Sequence, residues 1–374
     1  MTGTLRLDLA GLETRPAQVW GGVRLVPLVR PEPLPGLRLH ARLYGEGHGV
    51  VHDGRTSYRS YIPHGFVADW GTGPVAAYGT QVAETEPSAC VPVRVHRRMV
   101  SREAKRRLRF LPLHLALEGY LSLHFGGPPI AWAEWSQRAL RNGLSPRAEE
   151  AYSGAAVRGL GDALRVFEIH PGQCGVLVYA ADALAAAFAV PHPDDYRALH
   201  TSLLLDLYGE LIHHYALLSG PVPDFTPRLG PVNSMAALRA AVAREERAWR
   251  DFHDDTMAAG LLGHDCTART AYSMGEFTLH RFLPVFRPRA ENHIGEAITG
   301  PGGRIAYLKT FRLSETQVRR GHLLSRLAAR DWHLRAAAAD LGLTEGQLAL
   351  RLESAGFGHL LRQDVLDGFR AGNR

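Results

Sequence analysis

The stretch that decides the fold is Val166-Phe-Glu-Ile-His-Pro-Gly-Gln-Cys-Gly-Val-Leu-Val-Tyr179, followed shortly by Ala183-Leu-Ala-Ala-Ala-Phe-Ala-Val190. Short apolar runs bounded by Pro and Gly are typical of strands. The sequence therefore predicts a strand at Val166–Ile169, a turn at His170–Gln173 and a neighbouring strand at Gly175–Tyr179. Ala183–Val190 predicts a third strand, which would complete a meander.

A long amphipathic helix is predicted directly after this meander. Pro193-Asp-Asp begins it, with Asp194 as the N-cap and acidic residues in the first turn, where negative charge stabilises a helix. Apolar residues then recur in steps of three and four over about six turns: Tyr196, Leu199, Leu203, Leu207, Leu211, Tyr215 and Leu218.

The first hundred residues also predict strands. Leu37–Tyr44 alternates strictly between apolar and polar residues, as in a half-buried strand. Further short strands are predicted at Val23–Leu28, Thr56–Ile62, Ala76–Val82 and Val91–Val95. A helical stretch is predicted from Ser101, and Leu113–Phe125 fits a helix and a strand equally well.

Prolines divide the chain into regions. Four of them fall between Ser219 and Pro231, which indicates a linker, and Ser234 is placed to cap a second helix. The predicted fold class is α+β: a mainly antiparallel, strand-rich N-terminal domain with a long packed helix, then helices and a C-terminal helix-turn-helix. The predicted regions are 1–219 for the first domain, 220–233 for the linker, 234–311 for a helical or connecting region and 312–374 for the last module.

The C-terminal module carries the pattern of two short helices joined by a tight turn. Leu334–Gly356 resembles the Fis-type helix-turn-helix of bacterial regulators, with Gly342 ending one helix and Thr344 capping the next. Arg335, Gln347 and Arg351 are its candidates for contacting nucleic acid. The second helix has one basic residue and two acids, so the module is equally compatible with reading DNA and with packing or dimerisation.

Composition excludes a disordered chain, a fibre and a disulfide-stapled miniprotein, since apolar residues make up 45% and charged residues 21% of the 374 positions. The net charge is +6, and basic residues outnumber acidic ones strongly between Arg94 and Arg109. That run is either a solvated edge or a surface that meets phosphates. Its candidate contacts are Arg94, Arg97, Arg98, Arg102, Lys105, Arg106 and Arg107.

The three cysteines are widely spaced, which predicts reduced thiols in a cytoplasmic protein. The sequence shows neither the apolar segment of a signal peptide nor an apolar run long enough to span a membrane, so no membrane association is expected. No tightly held organic cofactor is expected: Gly71–Ala76 matches a dinucleotide fingerprint but fits a hairpin turn better. No metal site is expected either, because the histidines and acidic residues do not have the spacing of metal-binding motifs. The side chains of the adjacent His213 and His214, for example, point in different directions on a helix.

Three segments carry a family resemblance: Phe167-Glu-Ile-His-Pro-Gly-Gln-Cys-Gly175, Pro191-His-Pro-Asp-Asp-Tyr196 and Tyr208-Gly-Glu-Leu-Ile-His-His-Tyr215. Over about residues 15–220 the chain resembles the second type of ARG and rhodanese-phosphatase-superfamily-associated protein domain. The resemblance implies a bacterial protein of a stress or defence locus and supplies no established reaction. Weak catalytic candidates in or beside the family-like segments are Glu118, Gln173, His192 and Asp194.

Three classes of function remain open. The one favoured is a bacterial regulatory or accessory protein of a stress or defence locus, which binds DNA with weak sequence preference or binds a protein partner from the same locus, and which is able to form a homodimer. The alternative is a hydrolase-like enzyme acting on a nucleotide-derived or phosphorylated substrate. The third is a structural or scaffold role. The residues favour a non-enzymatic role over catalysis.

Overall fold

The structure is a computed structural model of the chain. It describes residues 2–7, 9–40, 50–53, 56–61, 66–69, 90–93, 99–102, 107–110, 125, 157–180, 183–216, 227–258 and 265–372.

Seventeen strands lie within the described residues. The first eleven are β1 (Thr2–Arg6), β2 (Glu13–Thr14), β3 (Gln18–Trp20), β4 (Val23–Val29), β5 (Arg38–His40), β6 (Val50–Asp53), β7 (Thr56–Tyr61), β8 (Phe66–Asp69), β9 (Cys90–Val93), β10 (Met99–Arg102) and β11 (Arg107–Phe110). The last six are β12 (Gln173–Ala180), β13 (Ala183–Ala189), β14 (Asp265–Met274), β15 (Phe277–Leu283), β16 (His293–Thr299) and β17 (Ile305–Arg312).

The helices of the described residues follow the same order. They are α1 (Leu160–Val166), α2 (Pro193–Ser202), α3 (Gly209–Ala216), α4 (Met235–Phe252), α5 (Glu315–Ala328), α6 (Leu334–Asp340), α7 (Glu345–Leu352) and α8 (Gln363–Gly372). Single π-helical turns continue α2 at Leu203–Leu207, α4 at His253–Met257 and α7 at Glu353–Phe357. No helix among these residues has the length and apolarity needed to cross a bilayer.

A ten-stranded antiparallel sheet organises the molecule. Its order is β1-β14-β15-β16-β17-β13-β12-β4-β2, with β3 also paired to β4. The β12–β13 hairpin lies inside it, with Val176 opposite Phe188 and, on the other side, opposite Pro27. Both strands are almost completely buried, as expected of central strands rich in Val, Ala and Phe. Two small antiparallel sheets, β5-β8-β9 and β11-β10-β7-β6, complete the strands.

Each face of the large sheet is covered by apolar side chains. On one face α2, α3 and the C-terminal helices contribute to a core that includes Val176, Phe188 and Phe311. On the other face α4 packs through Trp249 against residues such as Leu177 and Leu308. The sheet is therefore a middle layer, and the C-terminal helices belong to the same core as the sheet.

The predicted helix after the hairpin is present, but its N-cap and its buried face differ from the prediction. His192, not Asp194, is its N-cap: the backbone N–H of Asp194 donates to His192 Nδ1 at 3.2 Å. The π-helical turn at Leu203–Leu207 then rotates the buried face, because a π turn adds one residue to the helical repeat. The buried positions after the turn are Tyr208 and Ile212, and the predicted Leu211 is half-buried against the same core. The side chain of the predicted Leu207 lies outside the described residues.

Two local predictions of secondary structure are wrong. Val166–Ile169 is not a strand: α1 ends at Val166 and an extended loop follows, because Leu160 and Leu164 are buried one turn apart on a helix. The stretch from Ser101 is not helical within the described residues. Strands β10 and β11 form there instead, as an antiparallel pair from Met99 to Phe110.

The helical or connecting region predicted at 234–311 is also corrected. It begins with α4, capped by Ser234 as predicted, whose Oγ accepts from the N–H of Ala237. Strands β14 to β17 follow, and β17 pairs with β13. Residues on both sides of 220–233 thus build one sheet. The residues of β15 form a strand because apolar side chains alternate with polar ones, and the positions are alternately buried and half-buried.

Several predicted features lie outside the described residues, namely the strand at Ala76–Val82, the glycine-rich turn at Gly71–Ala76 and the ambiguous Leu113–Phe125 apart from its last residue. Val23–Leu28, Thr56–Ile62 and Val91–Val95 are confirmed as strands within one or two residues. Of Leu37–Tyr44, Arg38–His40 is a strand.

The C-terminal helices match the predicted caps. Thr344 and Gln347 form a capping box at the start of α7, and Gly342 has a positive φ of 64° just after α6. Leu348 and Leu352 are buried as predicted. The described part of this module is therefore two short helices joined by a tight turn, packed between α5 and α8.

Candidate functional site

Two of the family-like segments meet at one end of the large sheet. Gln173 and Cys174 begin β12, and the loop from Pro191 to Asp195 leads into α2, which contacts β12. His192 and Asp194 are at the start of that helix, where Asp194 is exposed. The predicted candidates Gln173, His192 and Asp194 are thus gathered at this end, while Glu118 lies outside the described residues.

Gln173 holds the turn before β12. Its side chain is fully buried; Oε1 accepts from the N–H of His170 at 3.0 Å and Nε2 donates to the carbonyl of Gly175 at 3.2 Å. The same side chain lowers the pKa of Tyr196 against the effect of burial, so the turn and α2 interact through these two residues. Because its amide is engaged in these contacts, Gln173 positions the turn and Tyr196.

Tyr196 and His200 form a buried pair one turn apart on α2. The hydroxyl of Tyr196 lies 2.8 Å from His200 Nδ1, and the imidazole packs on the Phe167 ring with centroids 4.5 Å apart. Burial lowers the pKa of His200 to about 4 and raises the pKa of Tyr196, so both are neutral near pH 7. The contact is therefore a hydrogen bond between two uncharged groups.

Arg30 places a buried positive charge beside Cys174. Its guanidinium donates from Nη2 to the carbonyl of Ile305 at 3.1 Å and interacts electrostatically with the Cys174 thiol. Burial lowers the pKa of Arg30, and within the described residues no carboxylate pairs with it. Burial also raises the pKa of Cys174, against the opposing effect of Arg30, so the thiol is protonated at neutral pH.

A second buried polar chain lies near the other end of β12. The Tyr179 hydroxyl is 2.8 Å from His253 Nε2, and His253 Nδ1 is 2.9 Å from the exposed carboxylate of Asp254. The carboxylate can only accept, so Nδ1–H donates to Asp254 and Nε2 accepts from Tyr179. His253 and Asp254 are adjacent in the sequence, but no sequence pattern links them to Tyr179, which lies on a distant strand.

The basic run is described only in part. Arg94, Arg97, Arg98, Lys105 and Arg106 lie outside the described residues. Arg102 and Arg107 are register partners across the antiparallel pair β10–β11, and Arg102 is also the partner of Tyr58 on β7. Directly opposite residues of an antiparallel pair share a face of the sheet. Arg102 and Arg107 are therefore on one face, with Tyr58 in the same row.

The three C-terminal candidates have different surroundings. Arg335 is exposed and pairs with Glu345, its Nε 3.2 Å from the carboxylate. Gln347 uses Oε1 to accept the N–H of Thr344 in the capping box. Arg351 lines a pocket between α5 and the end of α7, together with Arg319 and Arg320. The structure thus brings Arg351 next to arginines that the helix-turn-helix pattern did not include.

No group of three or more His, Cys, Asp or Glu side chains in the described part of the chain is arranged to hold a metal ion.

Comparison with known proteins gives one match. The family model of ARPP-2, the ARG and Rhodanese-Phosphatase-associated Protein domain, matches residues 7–275. That range begins earlier and ends later than the family-like region found in the sequence, and it includes α4 and β14. No curated protein and no solved structure matches the chain.

Proposed function

The chain belongs to the ARPP-2 family, and from that premise we propose that it is a regulatory or accessory protein that binds the phosphate backbone of nucleic acid. The observation that carries this proposal is the register of β10 and β11. Two arginine positions are directly opposite each other in the register there. Like charges at directly opposite positions are unfavourable, and a bound phosphate would offset this repulsion.

The same small sheet supplies further support. Arg109 is two residues from Arg107 on β11, so both positions are on one face. Tyr58 occupies the neighbouring position on β7. Basic residues interleaved with an aromatic one on a sheet face suit a nucleic-acid strand, since phosphates meet the charges and a base stacks on the ring.

We propose that α6 and α7 form a helix-turn-helix that assists this binding with little sequence preference. Its capped helices and tight turn support that assignment. Arg335 is neutralised by Glu345, and Gln347 is engaged in the cap, so few groups are left to read base edges. Affinity would then be carried by charge and fall steeply with salt.

The test is binding of labelled random duplex and single-stranded DNA across a salt series, by the full chain and by an Arg102→Gln/Arg107→Gln variant. For each duplex phosphate that the protein no longer neutralises, the slope of log K against log salt becomes shallower by about 0.9. The double variant is expected to neutralise up to about two phosphates fewer and to bind at least tenfold more weakly at low salt.

Arg247→Gln is the matched control, because Arg247 is an exposed arginine on α4, across the large sheet from the C-terminal helices. It removes a charge from a different surface and is expected to change binding little. An equal weakening of binding in both variants, or no binding by the unchanged chain, would contradict the proposal and favour a protein partner.

The remaining assignments are proposals of the same kind. The protein acts in the bacterial cytoplasm as part of a stress or defence locus, with a protein partner from that locus and with homodimer formation. We propose that residues 312–374 are the part of the chain that assists nucleic-acid binding, and that residues 220–233 are a linker.

A second candidate function is hydrolysis of a phosphorylated substrate. The observation that favours it is the buried Arg30 guanidinium, which has no carboxylate partner among the described residues and lies against Cys174. Arg30 and Cys174 are both fully buried and the thiol is protonated, so a substrate phosphate would meet them only if the start of β12 opened to solvent, where Arg30 would then lower the pKa of the thiol. The test is hydrolysis of a generic phosphomonoester. Activity that is lost in Cys174→Ser and kept in Cys266→Ser would support the enzyme, whereas no turnover by the unchanged chain would contradict this second function.

A further inference from the structure

A pocket of about 600 Å³ lies in the C-terminal module. One wall is a face of α5, on which Thr316, Arg319 and Arg320 recur at helical spacing. The other wall is the end of α7 and the π-helical turn after it, with Arg351 and Ser354. This volume is that of a small-molecule site, and it is too confined to take a duplex.

The charge inside the pocket is one-sided. Three arginines line it, and none of the ten lining residues in the described part of the chain is acidic. Four other arginines of the module meet carboxylates: Arg330 pairs with Asp340, Arg335 with Glu345, Arg362 with Asp364 and Arg370 with Glu353. For Arg319 and Arg351 the described residues show no such pair. At Arg319 and Arg351 the pocket thus holds positive charge that no carboxylate of the described residues neutralises.

Apolar side chains complete the lining. Leu323 on α5, Leu341 after α6 and Ala355 in the π-helical turn all contribute. Sites for small organic ligands combine such apolar contacts with a few placed polar groups. A bare inorganic anion would leave this apolar part of the lining in contact with water, so the pocket suits an anion with an organic body.

The rim of the pocket is held in place. Pro288 lines it from the loop after β15, and Phe286 in that loop is buried with a positive φ of 51°. The Phe286 ring packs so closely on Gly321 of α5 that no side chain fits there. Asn292 closes the loop by accepting from the N–H of Arg287 and donating to its carbonyl. A preformed rim lowers the entropy cost of binding.

We propose that the pocket between α5 and α7 binds an organic phosphate of nucleotide size, with its phosphates at Arg319, Arg320 and Arg351 and its body against Leu323, Leu341 and Ala355. This site is separate from the small sheet that carries the main nucleic-acid binding proposed above, although it shares α7 with the proposed helix-turn-helix, and it lies beyond the residues that match the family model.

The test is isothermal titration calorimetry of the full chain with ADP, adenosine and inorganic pyrophosphate as probes. ADP is expected to bind saturably, at least tenfold more tightly than adenosine and than pyrophosphate, and more weakly as salt screens the arginines. Arg319→Gln and Arg351→Gln are each expected to weaken ADP binding at least tenfold, because each removes charge-assisted hydrogen bonds. Thermal unfolding confirms that both variants remain folded.

Arg362→Gln is the matched control: it removes an exposed, carboxylate-paired arginine of the same module outside the pocket. Unchanged ADP binding by this variant supports the proposal. No saturable ADP binding by the unchanged chain, equal binding of adenosine, pyrophosphate binding as tight as that of ADP, or an equal weakening in Arg362→Gln would each overturn it. Duplex DNA binding that depends on Arg319, without ADP binding, would overturn it in favour of a nucleic-acid surface.

Discussion

At the scale of single residues, the described core contains titratable groups that are neutral because they are buried. His200 and His293 are the clearest, since burial lowers the pKa of His200 to about 4 and that of His293 to about 3. Both side chains keep a hydrogen-bond partner at Nδ1, Tyr196 for His200 and Thr310 for His293. Protonating either one in the folded state would place a charge in an apolar core.

Stability is therefore expected to fall as the solution is acidified. Between the unfolded-state pKa of 6.5 and the folded-state pKa of about 4, His200 is protonated in the unfolded chain and neutral in the folded chain. The free energy of unfolding therefore decreases as the pH falls through this window. For His200 alone the decrease is about 2 kcal/mol between pH 6.5 and pH 5. Urea unfolding at several pH values checks this, and His200→Gln is expected to flatten the slope. A variant with the slope of the unchanged chain would show that folded His200 binds the proton.

At the scale of elements, glycines in helices decide how closely loops approach. A Cβ at position 321 on α5 would collide with the buried Phe286 ring, while a Cβ at position 368 on α8 would meet nothing within 4 Å. Alanine has a higher helix propensity than glycine by about 1 kcal/mol. The same substitution is thus expected to have opposite effects at the two positions.

Gly321→Ala is expected to lower the free energy of unfolding by about 1–3 kcal/mol, because overpacking outweighs the gain in helix propensity. Gly368→Ala, the matched control, is expected to raise it by up to about 1 kcal/mol. Urea unfolding of both variants checks the pair. Stabilisation by Gly321→Ala would mean that the loop after β15 is free to move off α5.

At the scale of the whole molecule, the C-terminal helices and the sheet share one core. Leu313, Val318, Leu324 and Leu327 are buried in the same cluster as Phe311 of β17. Burying each such side chain contributes about 1.5–3 kcal/mol. The total stability of a domain is only about 5–15 kcal/mol, so deleting several of these side chains removes a large part of it.

A chain that ends at Arg312 is therefore expected to unfold at a lower temperature than the full chain, or to aggregate. Thermal unfolding and size-exclusion chromatography check this. An unchanged midpoint together with a monodisperse sample would show that residues 313–374 are an independent module. For the same reason the binding tests above use point substitutions in the full chain.

The sequence by itself determined the central hairpin of β12 and β13, the presence of a helix after Pro193 and the caps of α4 and α7. These features follow from short runs of residues, because strand alternation, turn residues and caps act within a few positions along the chain. Of the site, it offered Glu118, Gln173, His192 and Asp194 as candidates, and the structure places the three described ones at one end of the sheet.

Only the tertiary structure decided which distant groups meet. It placed Arg30 against Cys174, Tyr179 against His253 and Arg351 beside Arg319, and it inserted the π-helical turn that buries Tyr208 and Ile212. It also brought β14 to β17 into the sheet that β12 and β13 began. The physical reason is that such contacts are selected by burial of apolar surface across the whole fold, which no local pattern of residues records.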